Sequence, residues 1–346
     1  MNGPVAHGGD LGAARRLFPS APQPFIDLST GINPNPYPLP QLSHDLFARL
    51  PQPEATERIA SLAAETYGAP SAAHVVPAPG SQLLLPLIAA RAPPGRAVIL
   101  GPTYAEHART AALAGHEVEE VGDLQQMRAA ALSIVTNPNN PDGRISSKDS
   151  LLTLAGDLDR HGGILLVDEA FMDVGPQDAS LAGEVGRGNI VVLRSFGKFY
   201  GLAGLRLGFA LAAPATAERL RAWLGPWAVS GPALALGEIA MRDPEWASAT
   251  RRTLSRMAQR LDAVLSNVGM EVVGGTALFR LVRSESASEL FDRLGRAGIL
   301  VRRFPEHPGW LRFGLPGTEA EWQRLEEALA MRSGSSERTN KTYSGG

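Results

Sequence analysis

The stretch RSFGKFYGLAGLRLGFA, residues 194–210, places Lys198 and Arg206 among glycines, leucines, alanines and aromatic residues. Lys198 follows the apolar run 190–193, and Arg206 lies eight residues further on. A strand, a turn and a helix with two solvated charges would account for this pattern. A lysine that forms a Schiff base, with an arginine that holds a phosphate, accounts for it equally and predicts a cofactor site.

The composition restricts the class of protein. The 346 residues carry 33 basic and 35 acidic side chains, a formal net charge of −2, and no cysteine. This balance gives no basic excess for nucleic acid and favours a small-molecule partner. The absence of cysteine excludes disulfides, thiolate zinc sites and cysteine nucleophiles. Since the chain also lacks a signal-peptide pattern and any apolar run of about 18 residues, we expect a cytoplasmic protein that does not enter a membrane.

Periodicity predicts an N-terminal arm followed by an α/β domain. Prolines recur at 19, 22, 24, 34, 36, 38, 40, 51 and 53, which disfavours helix and predicts, within residues 1–53, an extended arm that wraps a surface. From residue 54 to 220, helical patterns alternate with short apolar runs typical of buried parallel strands. The predicted helices are 54–67, 104–114 and 147–161, and the predicted strands are 97–100, 132–135, 164–167 and 190–193.

The regular alternation of helices and strands ends in the C-terminal part, where we predict a smaller α+β domain over residues 221–331. Its predicted helices are 245–268, 286–297 and 319–331, and its predicted strands are 272–273, 278–282 and 300–301. The tail 332–346 has almost no apolar residues, which predicts disorder.

Polar residues follow several predicted strands, where ligands bind in open α/β sheets. Gly80-Ser81-Gln82 opens an apolar helix, the asparagine-rich turn 137–143 follows one strand, and Asp168 ends another. Each has an ordinary explanation as a cap or a turn. Together with Lys198 and Arg206, they form the set that pyridoxal phosphate requires: an amine, a carboxylate, amide donors and phosphate donors.

Several motifs carry a more specific likeness: His7-Gly8-Gly9, DLSTGINP at 27–34, LRS before Lys198, GLRLG at 204–208 and PWAVS at 226–230. With them the chain resembles, up to about residue 331, the fold-type I pyridoxal-phosphate enzymes of the class I/II aminotransferase family. Within that family it is similar to the cobalamin-biosynthesis branch of threonine-phosphate decarboxylases, which is related to the histidinol-phosphate aminotransferases. The resemblance implies a large domain with a mainly parallel sheet, a smaller α+β domain, and a homodimer.

The resemblance also implies roles for residues at the cofactor. Lys198 would bond covalently to pyridoxal phosphate and later carry the proton at the substrate Cα. Asp168 would pair with the pyridinium nitrogen, Asn140 would donate to the phenolate oxygen, and Tyr104 would stack on the ring. The cofactor phosphate would be held by Gly80, Ser81, Gln82, Ser195 and Arg206.

The substrate contacts are implied in the same way, and no metal is expected. Arg312 and Arg302 match arginines that bind substrate anions. His7 and Gly8 fit an arm over a substrate phosphate, or equally a solvated arm. Gly31, Asn33 and Asn140 would line the opening of the same substrate site. Two arginines suit an amino acid that also carries a phosphate.

Four positions depart from the wider family pattern. Phe171 replaces a tyrosine that bonds the phenolate in many aminotransferases, which favours the decarboxylase branch. Leu50 replaces a tyrosine that often reaches the neighbouring subunit's phosphate. Gly197 replaces a serine of the histidinol-phosphate enzymes, and Gly31 replaces a common asparagine.

The implied activity is the decarboxylation of O-phospho-L-threonine to (R)-1-aminopropan-2-yl phosphate. One alternative is a histidinol-phosphate aminotransferase or a related one, with the same cofactor and fold. Another is a non-catalytic ligand sensor on that fold, which would carry an N-terminal winged-helix domain and a basic surface; this chain has only a short arm and a balanced charge.

Overall fold

A computed structural model describes residues 7–330 of the chain. Its strands are β1 (Ile26–Leu28), β2 (Val75–Ala78), β3 (Arg96–Leu100), β4 (Glu117–Val121), β5 (Leu132–Thr136), β6 (Ile164–Asp168), β7 (Ile190–Ser195), β8 (Gly208–Ala212), β9 (Glu271–Thr276), β10 (Phe279–Arg283), β11 (Ile299–Arg303) and β12 (Trp310–Gly314).

The α-helices surround these strands. They are α1 (Leu11–Leu17), α2 (Asp45–Ala48), α3 (Pro53–Tyr67), α4 (Leu84–Arg91), α5 (Glu106–Leu113), α6 (Lys148–Asp159), α7 (Phe196–Phe199), α8 (Pro214–Leu224), α9 (Gly231–Met241), α10 (Pro244–Asn267), α11 (Ala287–Arg296) and α12 (Glu319–Ala330). No helix among residues 7–330 is long and apolar enough to cross a membrane.

A seven-stranded sheet forms the larger layer, in the order β2-β8-β7-β6-β5-β3-β4. The pairs from β4 through β7 are parallel, whereas β8 runs antiparallel to both β7 and β2. Every residue of β5, β6 and β8 is buried, because helices cover both faces of the sheet. The carboxyl ends of β5, β6 and β7 therefore meet at one edge.

A five-stranded sheet forms the smaller layer, in the order β1-β11-β12-β10-β9. Strand β1 comes from the proline-rich arm and pairs in parallel with β11, with Ile26 opposite Ile299. The remaining pairs are antiparallel. Because β1 leads directly into residues 29–33, the arm enters the region between the two sheets.

The expected α/β class with a mainly parallel large sheet is confirmed. Every helix and strand predicted above is present, with ends shifted by a few residues. The prediction did not include β1, β2, β4, β8 or β12. Of these, β4 (EVEEV) was missed because it is an acidic edge strand, paired only with β3. The domain limits stay a prediction, and the predicted tail 332–346 lies outside the described residues.

Candidate active site

A cavity of about 280 Å³ opens at the carboxyl edge of the large sheet. Its walls come from the ends of β5, β6 and β7, the start of α4, the arm and β12. It brings together these predicted residues: His7, Gly8, Gly31, Gly80, Ser81, Gln82, Tyr104, Asn140, Asp168, Ser195, Lys198, Arg206 and Arg312. Asn33 and Arg302 do not line it.

Lys198 lies in the short helix α7, immediately after β7. Desolvation lowers the pKa of Lys198 to about 8; Arg312 and Arg206 add to this effect, while Asp168 opposes it. Its Nζ lies 5.7 Å from the centre of the Phe171 ring. A substantial fraction of this amine is therefore neutral, and so nucleophilic, near physiological pH.

Asp168, the last residue of β6, presents its carboxylate to the cavity. Its Oδ1 accepts a hydrogen bond from the Ala170 amide at 3.1 Å, and its Oδ2 lies 3.2 Å from Nε2 of His107. His107 is fully buried and was not predicted. The available signal was its position one helical turn after Tyr104, just beyond the end of β3.

Gly80 and Arg206 form a cradle suited to an anion. Gly80 has a φ of +87°, and a Cβ there would lie 2.6 Å from Nη2 of Arg206. A Cβ at Gly208 would collide with the backbone N of Ser81. Only glycine allows both close approaches, which place a guanidinium beside backbone N–H groups.

Tyr104 and Gln82 belong to one hydrogen-bonded chain. Burial raises the pKa of Tyr104 to about 12, so the hydroxyl keeps its proton and donates to Gln82 Oε1 at 3.1 Å. Gln82 Nε2 donates in turn to Glu106 Oε2 at 2.9 Å. Glu106 is a second residue that sequence reasoning missed, and it also contacts His7 at 3.2 Å.

Arg312 reaches the cavity from β12. Its guanidinium donates to Oδ1 of Asn140 and, at 2.8 Å, to the carbonyl of Ser29. Burial lowers the pKa of Arg312 to about 10, with a further contribution from Arg302. The arginine therefore stands beside Asn140 and close to Lys198.

Arg302 and Asn33 occupy positions outside the cavity wall. Arg302 stands opposite Arg312 in the β11–β12 pair, and burial lowers its pKa. Asn33 was expected to face the substrate; instead its amide donates to the Phe199 carbonyl at 2.9 Å and accepts from the Asn35 amide. Its backbone N donates to the carbonyl of Lys198 at 3.0 Å. Asn33 thus supports the lysine segment from outside.

The four departures from the family pattern fall in different places. Phe171 and Gly197 line the cavity, and Leu50 is an exposed side chain outside it. A Cβ at Gly31 would lie 2.9 Å from Phe279 and 3.0 Å from Phe171, so no side chain fits there without movement.

The residues present fit pyridoxal phosphate. The fit is chemical: an amine of lowered pKa, a carboxylate backed by a histidine, an aromatic ring and an anion cradle face one cavity. Among residues 7–330, no group of three or more histidine, aspartate or glutamate side chains is placed to hold a metal ion.

Comparisons with known proteins agree with this fit. The chain is 44% identical over 333 residues to the threonine-phosphate decarboxylase of Sinorhizobium sp, covering 95% of this chain and 99% of the relative. It is 42% identical to the threonine-phosphate decarboxylase of Pseudomonas aeruginosa, covering 94% and 97%. In fold it is similar to the histidinol-phosphate aminotransferase of Sinorhizobium meliloti in complex with pyridoxal-5'-phosphate, with a TM-score of 0.78, 20% identity and 94% of each chain covered.

The family profile described as aminotransferase class I and II matches residues 44–329, which span both sheets except β1. The match includes the lysine, the carboxylate, the amide and both phosphate-cradle segments. The chain therefore belongs to the class I and II aminotransferase family.

Proposed function

We propose that the protein is a pyridoxal-phosphate enzyme that decarboxylates O-phospho-L-threonine to (R)-1-aminopropan-2-yl phosphate, a step of cobalamin biosynthesis. The observation that carries this proposal is the identity of 44% and 42%, over nearly the whole chain, with two relatives named threonine-phosphate decarboxylase. The cavity supports it, because the nucleophilic Lys198 and the cationic Arg312 face the same space.

Lys198 first holds the cofactor and then moves a proton. When bound, pyridoxal phosphate withdraws electrons from the substrate α-carbon, so that a bond to that carbon can break. Lys198 would hold the cofactor through its amine, and the lowered pKa suits that amine to accept and return protons near neutral pH. Carbon dioxide leaves without the bonding electron pair, and Lys198 would deliver the proton that takes its place at Cα.

Asp168, Asn140 and Tyr104 orient the cofactor ring. Asp168, at the end of β6, would place its carboxylate against the ring nitrogen. Asn140 would donate from its amide nitrogen, because its oxygen already accepts from Arg312. Tyr104 would cover one ring face, and Arg206 with Ser81 and Ser195 would hold the phosphate.

Placement of the substrate anions decides which bond breaks. A decarboxylase must hold the carboxylate perpendicular to the ring plane, whereas a transaminase must hold the α-hydrogen there. Arg312 is fixed by Ser29 and Asn140, and it would set this angle together with Arg302 and His7.

Product analysis tests the proposal. Purified protein loaded with pyridoxal phosphate is mixed with O-phospho-L-threonine, and the phosphorylated amine is followed by mass, with Lys198→Ala as the control. We expect the amine from the wild type and none from the variant. A keto acid, accompanied by the pyridoxamine spectrum, would instead make the protein an aminotransferase.

We further propose that the enzyme is a cytoplasmic homodimer. Large apolar side chains are exposed on the arm and before α9, namely Leu39, Phe47, Leu50 and Trp227. The two segments are neighbours, since Gly231 packs against the Leu46 carbonyl. Light scattering should give twice the chain mass, and Phe47→Asp should reduce it; a monomeric wild type would contradict the proposal.

A further inference from the structure

Residues 7–9, here called the strap, are anchored on two sides of the cavity. On one side, His7 Nε2 lies 3.2 Å from Oε1 of Glu106 at the start of α5. On the other, the Gly9 amide donates to Oγ of Ser29 at 2.7 Å, just after β1. His7 and Gly8 line the cavity between these anchors. The strap therefore connects a helix of the large sheet with the end of a strand of the small sheet.

The strap fits only because residue 8 is glycine. A Cβ at Gly8 would collide with the carbonyl oxygen of Ser29 and lie 2.9 Å from its carbonyl carbon. Ser29 is itself held by Asp27, whose Oδ1 accepts from the Ser29 hydroxyl at 2.5 Å. This side of the strap is thus fixed by backbone packing. The other side depends on one carboxylate.

Glu106 is buried, with 7% of its side chain exposed. A carboxylate in such a place requires compensating donors. Three are present: His7 at 3.2 Å, Gln82 at 2.9 Å and Arg109 at 3.0 Å. Gln82 and Arg109 bond Oε2, which leaves Oε1 to His7. The hydrogen bonds from Gln82 and Arg109 do not involve His7, so a change at His7 removes the strap contact and leaves these two bonds in place.

This contact determines how His7 can meet a ligand. Glu106 engages Nε2, which leaves the other ring nitrogen, Nδ1, for a molecule in the cavity; when both nitrogens carry protons, Nε2 donates to Glu106 and Nδ1 can donate to an anion. The His7 ring lies 5.7 Å from the Tyr104 ring, which restricts its rotation. His7 is 42% exposed in its side chain, so without Glu106 little else would hold it over the cavity.

We propose that Glu106 is a positioning residue for recognition of the substrate phosphate: it holds His7 over the cavity, where His7 contacts the phosphate. The inference rests on the proposed function for the identity of that phosphate. Glu106 itself would not touch the substrate, since its carboxylate would repel the anion and is covered by its donors.

The test is a double-mutant cycle on binding. Calorimetry measures the dissociation constant of 1-aminopropan-2-yl phosphate for the holoenzyme, in the wild type, Glu106→Gln, His7→Ala and the double variant. We expect each single change to weaken binding about tenfold, as for loss of one charge-assisted hydrogen bond. The double variant should bind like His7→Ala, because Glu106 acts through His7.

Controls separate positioning from a general structural effect. Glu117→Gln makes the same charge change at an exposed site on β4 and should bind as the wild type does. In steady-state assays with O-phospho-L-threonine, Glu106→Gln and His7→Ala should lower kcat/KM by about the same factor, because both lose the same substrate contact. His7→Ala leaves the bond between Gln82 and Glu106 in place and should retain pyridoxal phosphate as the wild type does.

Three results would overturn the proposal. The first two are binding of the phosphorylated amine with the wild-type dissociation constant by either single variant, Glu106→Gln or His7→Ala. The third is that adding Glu106→Gln to His7→Ala weakens binding by the same factor as Glu106→Gln does alone. His7→Ala changes only the exposed strap and so stays informative even if Glu106→Gln unfolds. A wild type that binds no phosphorylated amine would refute the proposed function itself. A wild type that binds it but forms a keto acid would refute only decarboxylation.

Discussion

His107 Nε2 lies 3.2 Å from Asp168 Oδ2 and 3.1 Å from Thr136 Oγ1, in a fully buried position behind the cavity. One imidazole thus links the end of β6 to the end of β5. The contact orients the carboxylate that lines the cavity.

Replacing His107 should slow the reaction without unfolding the chain. His107→Asn removes the donor to Asp168, and we expect kcat to fall about tenfold, the equivalent of one charge-assisted hydrogen bond. Kinetics with O-phospho-L-threonine measure this. His116→Asn is the matched control, because His116 is also buried but bonds the carbonyls of Gly95 and Ala89, away from the cavity. It should reduce stability and leave kcat near the wild-type value.

Attachment of the cofactor should depend on pH through Lys198. In cofactor-free protein, only the neutral amine attacks the cofactor aldehyde. Since the pKa of Lys198 is lowered to about 8, the attachment rate should fall as the pH drops through 8. Arg312→Met removes a cation that lowers this pKa, so its midpoint should move to higher pH. Absorbance mixing experiments measure both; a wild-type midpoint above 10, as for a solvated lysine, would contradict the account.

Gly80 should be required for cofactor affinity. Gly80→Ala adds a Cβ at a φ of +87° and 2.6 Å from Nη2 of Arg206. Backbone strain of about 1–3 kcal/mol, with displacement of the arginine, should weaken pyridoxal phosphate binding at least about tenfold. Equilibrium dialysis gives the dissociation constant. Gly156→Ala, on α6 where nothing lies within 4 Å, should bind normally; equal behaviour of the two variants would refute the cradle.

Arg194 should stabilise the large domain. It is buried beside Glu169 at 3.0 Å and Asp173 at 3.1 Å. Burial acts to lower the pKa of Arg194, but Asp173 and Glu169 together raise it above its ordinary value. Arg194→Met leaves two buried carboxylates unpaired and should reduce the free energy of unfolding by about 3 kcal/mol.

Denaturant titration measures this loss. The control is Arg283→Met, which breaks an exposed pair with Glu271. Its midpoint should match that of the wild type. If both variants unfolded at the wild-type midpoint, the buried pair would not be a source of stability.

The large sheet and its main site residues were predictable because the determinants are local. Asp168 and Lys198 each follow a buried apolar run, so their shared edge follows from strand direction alone. Strand β1 was not predictable, because its pairing with β11 joins segments about 270 residues apart. Periodicity carries no information on such a contact.

The direction of side chains in irregular segments was also not predictable from the sequence. Asn33 lies in a proline-rich stretch without periodicity, and its amide turns away from the cavity towards Phe199. Glu106 and His107 were overlooked because their importance depends on where α5 begins. Only the observed start at Glu106 places both next to Tyr104 and the cavity.

The most direct measurement of the central claim uses O-phospho-L-threonine labelled with ¹³C in its carboxylate. We predict one labelled carbon dioxide for each substrate consumed by the wild type, with the unlabelled phosphorylated amine as the other product, and none from Lys198→Ala. Label retained in a keto acid, with no labelled carbon dioxide, would contradict the account.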